Sequence, residues 1–473
     1  MNAMTQENRR SYMLDTPLYR LIPKMALPTI AGMLVTSLYN LADTFFVSKL
    51  GTNATGAVGV NSSIDYIIMM GGFFIAAGAA SYTSRLLGAK ENIRASRVLS
   101  TGFFTAVTLG ILVLIFGSLF MDPLLRGLGA IDDLMPYSRD YARYVLLAAP
   151  FMAGSFVLNH NLRAEGSAIY SMAGMMSGAF LNIALDPIFI FGLNLGVAGA
   201  SMATAISKFV SFSILLLPYL RRRTTMQISL RSFGVRAADA WEVMKMGSPS
   251  LFRNCLTTVA AIVLNRMAGA HGSSAIAAIS VANRITMLLA AACFGFGQGF
   301  QPIVGFSWGA RRYDRIVDGY RFAAVATAVG ITIPSLVLFI FAKQALMLFT
   351  ETDLDLVAVG MFSLRTQCVA MPIHAFCIVV NFMCAGMGRA GGAALLGLSR
   401  QGICFFPILF PLFRLFGVWG LAGAQATADI LSVALALPIA VFILRDLRRR
   451  MAAQESAAEP GDLSAPGEIM VDI

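Results

Sequence analysis

Long apolar runs recur along this chain, separated by short polar connections. "TGFFTAVTLGILVLIFGSLF" (101–120) carries no charged residue, and about 20 apolar residues cross the hydrocarbon core of a bilayer as a helix. The pattern predicts about twelve such segments, at 20–48, 56–86, 97–120, 137–162, 170–192, 197–219, 244–270, 275–308, 318–348, 357–384, 391–416 and 420–444. Their length speaks against a β-barrel, whose strands are near ten residues and alternate in polarity. An all-α polytopic membrane protein is predicted.

The pattern also repeats. "KMALP" (24–28) matches "KMGSP" (245–249), and "LLGAKENIR" (86–94) matches "SWGARRYDR" (307–315) at the same offset. "AAPFMAGSFVLNH" (148–160) matches "AMPIHAFCIVVNF" (370–382), and "GVAGA" (196–200) matches "GLAGA" (420–424). Each half holds six predicted helices, an even number, so both halves enter from the same side. That makes two six-helix lobes, parallel repeats related by a pseudo-two-fold along the membrane normal. The expected divisions are an amino-terminal lobe over 1–219, a cytoplasmic linker over 220–243, a carboxyl-terminal lobe over 244–446 and a tail over 447–473. The linker is expected to hold a short amphipathic helix. The Ala/Pro/Gly/Glu-rich tail is expected to be disordered.

Composition agrees. Hydrophobic residues make up 57% of the chain and charged residues 13%, about half the charged share of a soluble domain. The net charge of +11 follows topology rather than a nucleic-acid surface. Arg9 and Arg10, Lys90 and Arg94, Arg221 to Arg223, Arg311 and Arg312, Arg389 and Arg400, and Arg445 to Arg450 fall at alternate connections. Asp132, Asp133, Glu351 and Asp353 fall at the others. Both termini are therefore predicted to be cytoplasmic, and no cleaved signal peptide is expected. The lipid bilayer is the expected partner, with no nucleic acid, in a cell (inner) membrane. The six cysteines have no metal spacing and read as packing residues. His160, His271 and His374 are scattered.

Acids inside such helices are costly and mark function. Asp43 has no counterpart in the repeat: its position falls on Leu264, and the second half has no acid between Glu242 and Asp314 or between Asp355 and Asp429. "GAFLNIALDPIFIFG" (178–192) supplies Asn182 and Asp186 at i, i+4, on one helix face. Pro187 should disturb the helix there. Thr204 follows in the sixth segment. Asp43 lies eight residues before Gly51, Asp186 eight before Asn194 and Thr204 eight after Gly196, which puts each about 12 Å below the outer surface at 1.5 Å per residue. Two carboxylates, an amide and a hydroxyl are hard oxygen chemistry, suited to H⁺ or, as a metal, Na⁺. Crowded carboxylates do not both stay ionised readily, so one proton can be exchanged.

At these residues the sequence resembles the multidrug and toxic compound extrusion (MATE) family, in its MepA-like and DinF-like branch. The resemblance rests on "LADTFFVSKLG", "RAEG" (163–166), "LNIALDPIFIFG", "GVAGASMATAIS" and "GFGQGFQPIVGFSWGARRYDR" (295–315). It implies twelve helices in two lobes and export of organic cations (drugs or toxic metabolites) against inward H⁺ or Na⁺. It carries a coupling-ion site onto Asp43, Asn182, Asp186 and Thr204, with Tyr39, Asn159 and the helix-bending Pro28 in support. The glutamate that the NorM-like branch carries in helix seven has no counterpart in "SLFRNCLTTVAAIVLN".

Asp65, Gln298 and Gln301 are candidates to line a cavity. Arg253 and Asp429 read as an ion pair within the second lobe, or Arg253 as reaching to the cytoplasmic face. No HExxH, GxSxG, Walker A or Rossmann pattern is present, so no enzyme and no ATP or redox cofactor is expected. A monomer is expected. The alternative function is a lipid-linked oligosaccharide flippase, which requires a wide cavity faced by several basic residues.

Overall fold

In a bilayer core no water satisfies backbone N–H and C=O groups, so a lipid-facing chain must close its hydrogen bonds within each segment. The computed structural model describes residues 6–234, 236–269, 273–347 and 354–458, and it is built that way. Twelve long helices follow in order: α1 (Leu18–Ser48), α2 (Thr52–Gly88), α3 (Asn92–Leu119), α4 (Met135–Ala164), α5 (Ala168–Pro187), α6 (Gly196–Leu220), α7 (Ala237–Gly269), α8 (Ser273–Gly309), α9 (Tyr313–Ile340), α10 (Leu354–Met387), α11 (Ala390–Leu398 and Phe405–Phe416) and α12 (Val418–Ala458). Eleven of them are long and apolar enough to span by length and composition alone. The twelfth, α7, is as long but carries Asp239, Glu242, Lys245, Arg253 and Arg266. Serine and threonine hydroxyls inside the helices return to their own backbone, as Thr29 does to Met25 and Thr36 to Gly32, which satisfies them without water.

The repeat in the sequence is a repeat in packing. Within the first lobe α4 packs on α2, α3 and α6, while α5 packs on α1 and α6; within the second, α10 packs on α8, α9 and α12, while α11 packs on α7 and α12. Between lobes, α1 meets α8 and α2 meets α7, the reciprocal contacts of a two-fold, with α2 against α8 near its axis. Lobe contact is tight where glycine permits it: a Cβ on Gly299 would lie 2.6 Å from the Cα of Ala26 on α1.

Among the described residues, every inter-lobe hydrogen bond lies in the half of the molecule that carries the arginine-rich connections, here called the basic end. Arg85 pairs with Glu242 at 2.8 Å, Tyr82 donates to Asp239 at 2.7 Å, and Arg94 pairs with Asp239. Arg315 on α9 reaches the Thr16 carbonyl at 2.9 Å. The largest apolar cluster crosses both lobes there, joining Leu21, Met25 and Leu86 to Phe300, Phe306 and Met383, whereas two smaller clusters stay within the second lobe. Among the described residues the lobes are tied by hydrogen bonds at the basic end and not at the other.

Several boundaries differ from the expected ones. Among the described residues the linker holds only a short 3-10 turn, Leu230–Ser232, before α7 starts at Ala237, and the first turns of α7 are held by the pairs to Asp239 and Glu242. The last helix runs to Ala458, past the expected lobe boundary at 446, because Arg445 to Met451 continue its helical pattern and Arg450 pairs with Asp446 at 3.2 Å. The amino-terminal segment forms a helix, Gln6–Asp15, docked at the basic end. Arg9 there bonds Glu165 at 2.7 Å and Ser167 at 2.8 Å. The "RAEG" stretch is thus a structural hub: Glu165 is fully buried and also accepts from the Thr225 N–H at 3.0 Å.

Candidate functional site

Small residues assemble the site. Gly174, Gly178, Asn182 and Asp186 recur every four residues on α5 and are all buried, so they form one stripe facing α6. Ser211 of α6 donates to the Gly174 carbonyl at 2.7 Å. A Cβ on Gly178 would stand 2.9 Å from Ser211 Cβ and 3.2 Å from the Ser207 carbonyl oxygen, so the helices could not pack this closely around a larger residue. This approach delivers Asn182 and Asp186 to Thr204. With its amide turned to satisfy both neighbours, Asn182 donates to Asp186 Oδ2 at 3.2 Å and accepts from Thr204 Oγ1 at 3.2 Å and Thr204 N at 3.3 Å. Immediately after Asp186 the α-helix ends at Pro187 and a π-turn covers Ile188–Gly192, the disturbance expected from a ring that removes a donor.

α1 packs along α5 and brings the other acid. Asp43 is the charged neighbour that acts on Asp186. Its Oδ1 is buried and has no hydrogen-bond partner. Asp65 on α2 also lies within electrostatic range of Asp43, so it faces the cluster rather than the rim. Tyr141 on α4 is buried among the same acids. Tyr39, one turn from Asp43, accepts from the Lys208 ammonium at 3.2 Å, and that ammonium lies 5.1 Å from the Tyr39 ring centre. The sequence reading missed Lys208 because it weighed intramembrane acids and passed over a base. The signal was there: it is the one charged residue in the 25 residues of α6.

Three expectations meet a different structure. Asn159 is not in the cluster; it accepts from Arg163 and donates to the Ser171 carbonyl at 3.3 Å, joining α4 to α5 near the basic end. Pro28 lies inside α1, which is continuous from Leu18 to Ser48. Asp429 pairs with Arg400, at 2.9 Å, and not with Arg253; Gln425 adds a further bond at 2.9 Å. Arg400 lies ten residues into α11, in a π-turn over Ser399–Ile403, and so not at a connection. Arg253 instead stacks over Phe294 at 5.2 Å. With Gln298, Gln301, His160 and Asn381 it lines an inter-lobe cavity, of which it is the only arginine or lysine among the described residues. Several basic residues facing a wide cavity are not found there. His374 bonds Ser432 at 3.1 Å, and His271 lies outside the described residues.

The cluster therefore holds Asp43, Asp65 and Asp186, one amide, one threonine, two tyrosines and one lysine, all from the first lobe. Among the described residues no group of three or more His, Cys, Asp or Glu side chains could hold a metal ion. The oxygen donors suit a proton or a monovalent hard cation. The corresponding helices of the second lobe carry the closed pair Arg400–Asp429 instead.

Comparison with known proteins places these features in context. The MatE family model matches residues 28–188 and 249–412. The multidrug export protein MepA of Staphylococcus haemolyticus (strain JCSC1435) is 27% identical over 447 residues, which cover 94% of this chain and 97% of that protein. The MepA of Staphylococcus aureus (strain MSSA476) is 27% identical over 92% of this chain and 96% of its own length. Among solved structures, a MATE in complex with MaL6 superposes with a TM-score of 0.86 at 26% identity, covering 94% of this chain and 98% of that one. An outward-facing conformation of a multidrug resistance MATE family transporter of the MOP superfamily gives 0.86 at 25% identity, covering 96% and 100%.

Proposed function

This chain belongs to the MatE family, and from that premise we propose that it is a secondary antiporter which exports hydrophobic organic cations in exchange for inward H⁺ or Na⁺. It works as a monomer in the inner membrane with both termini in the cytoplasm. The multi-pass architecture and the multidrug-export relatives support the exporter class. One observation carries the coupling: Asn182 bridges Asp186 and Thr204, while Asp43, the charged neighbour of Asp186, has a buried, unpartnered oxygen.

The chemistry follows. Two ionised carboxylates in a low-dielectric cluster repel, and a proton or a monovalent cation relieves that repulsion. With the lobes tied at the basic, cytoplasmic end, the cluster in the first lobe receives its cation from outside. Cation entry removes negative charge and weakens the hold on a cationic drug, which leaves outward. The ties at Arg85–Glu242 and Arg94–Asp239 must then open for the lobes to rock inward, where the cation is lost and a new substrate binds. Mutual exclusion of cation and substrate is the coupling, a linkage that holds in both directions.

Everted vesicles carrying the protein, given ethidium or a fluoroquinolone in the outer medium under an imposed inside-acid ΔpH or inside-high ΔNa⁺, test this by drug uptake into the lumen. Gradient-driven transport should be abolished by Asp43→Asn and by Asp186→Asn. Transport undiminished in both variants would defeat the reading.

A further inference from the structure

Lys208 has no part in the coupling scheme above, yet its position is costly. It lies midway along α6, twelve residues from both Gly196 and Leu220, so about 18 Å of helix separates it from either end. A lysine stem does not reach a polar surface over that distance, and an ammonium at such depth needs partners of its own. Its Nζ donates to Tyr39 Oη at 3.2 Å. Asp65 and Asp43 are its charged neighbours. Neither forms an ion pair with it among the described residues, and Asp43 Oδ1 remains without a donor.

The second lobe gives the contrast. At the offset that aligns "GVAGA" with "GLAGA", Lys208 falls on Ser432, which bonds the Asp429 carbonyl at 2.6 Å. The basic residue there is Arg400, whose fork grips both Asp429 oxygens at 2.9 and 3.2 Å. A bidentate guanidinium fixes its acid permanently. The first lobe carries a flexible ammonium instead, held by a tyrosine one turn away from an acid with a free oxygen.

We propose that Lys208 is the resident counter-cation of the Asp43–Asp65–Asp186 cluster, and that its presence makes the coupling site accept protons in preference to Na⁺. This rests on the cluster being the coupling site. The groups that face the ammonium are Tyr39 and Asp43 from α1 and Asp65 from α2, with Tyr141 of α4 beside the same acids and Asp186 of α5 behind Asp43. A tethered ammonium supplies monovalent positive charge at high effective concentration. An incoming Na⁺ meets that charge in a low-dielectric site and must also gather several oxygens. A proton needs one oxygen, which Asp43 Oδ1 offers. The ammonium rests on Tyr39, the place the proposal gives it while Asp43 is protonated; when Asp43 ionises, the ammonium moves the one turn to it and holds the site without Na⁺.

Equilibrium binding of radioactive Na⁺ to the purified full-length protein in lipid nanodiscs, at pH 8, tests this without any transport step. The comparison is wild type, Lys208→Met and Lys208→Arg, each checked for a single size-exclusion peak. Wild type and Lys208→Arg should bind no Na⁺ above the level of Asp43→Asn at about 10 mM Na⁺, in a background of about 0.15 M choline chloride that screens the surface charges. Lys208→Met should bind about one Na⁺ per chain, at least about tenfold more tightly. Saturable Na⁺ binding by wild type overturns the proposal even if no variant folds. A Lys208→Met protein that folds and binds no more Na⁺ than wild type overturns it as well. Failure of the antiport reading would appear elsewhere, as gradient-driven efflux that survives loss of Asp43 and Asp186.

Discussion

Gly178→Ala perturbs the assembly of the site without touching any of its polar groups. The added Cβ would stand 2.9 Å from Ser211 Cβ and 3.2 Å from the Ser207 carbonyl oxygen. Carbon atoms pack at about 3.5–4.0 Å, so α5 and α6 must separate by about 0.5–1 Å. One turn further along, the 3.2 Å contact between Asn182 and Thr204 would then stretch beyond hydrogen-bonding range. Overpacking costs about 1–3 kcal/mol and the lost bond about 1 kcal/mol. Replacing a helical glycine by alanine returns about 1 kcal/mol. The net expectation is a loss of about 1–3 kcal/mol, with ion coupling weakened although every acid is present. The assay is thermal unfolding of the purified variant together with proton-driven ethidium transport in proteoliposomes. Adding Ser211→Gly removes the atom the new methyl strikes and should restore part of the transport. A Gly178→Ala protein with wild-type unfolding and wild-type dependence on the imposed gradient would refute the reasoning.

Other consequences concern the framework. Arg400→Met leaves Asp429, 1% exposed, as a buried charge without its partner and should cost about 3–5 kcal/mol in thermal unfolding; the double variant Arg400→Met/Asp429→Leu should recover most of that. The double change Asp239→Asn/Glu242→Gln removes the charge from both basic-end ties, each worth about 1 kcal/mol at partial exposure, and should lengthen distances between spin labels placed on α2 and α7 at that end. Arg9→Ala strips the buried Glu165 of its cation and should cost about 1–3 kcal/mol; limited proteolysis should then release the Gln6–Asp15 helix, which stays protected in wild type.

The architecture was legible because a bilayer leaves few options: uninterrupted apolar runs give the helices, and the recurring "KM…P" and "GxAGA" stretches give the two-fold. The trio Asn182, Asp186 and Thr204 was legible from i, i+4 spacing and matched depth, since both survive folding unchanged. What the sequence hid depends on tertiary choice. Asn159 shares its helix with residues that face the interior, but Arg163, one turn on, captures it. Asp429 had two arginines in reach of a guess, Arg253 and Arg400, and only the packing of α11 on α12 selects the second. Lys208 was visible as a lone charge in α6, yet its partner Tyr39 stands 169 positions away, a distance no local pattern bridges.

The central claim is that Asp43 and Asp186 hold a cation which the substrate displaces. The most direct measurement is proton release on substrate addition, read with a pH-sensitive dye in weakly buffered solution of the purified protein. The account expects wild type to release protons in proportion to bound substrate, and Asp43→Asn and Asp186→Asn to release none. Equal release from all three proteins would contradict it.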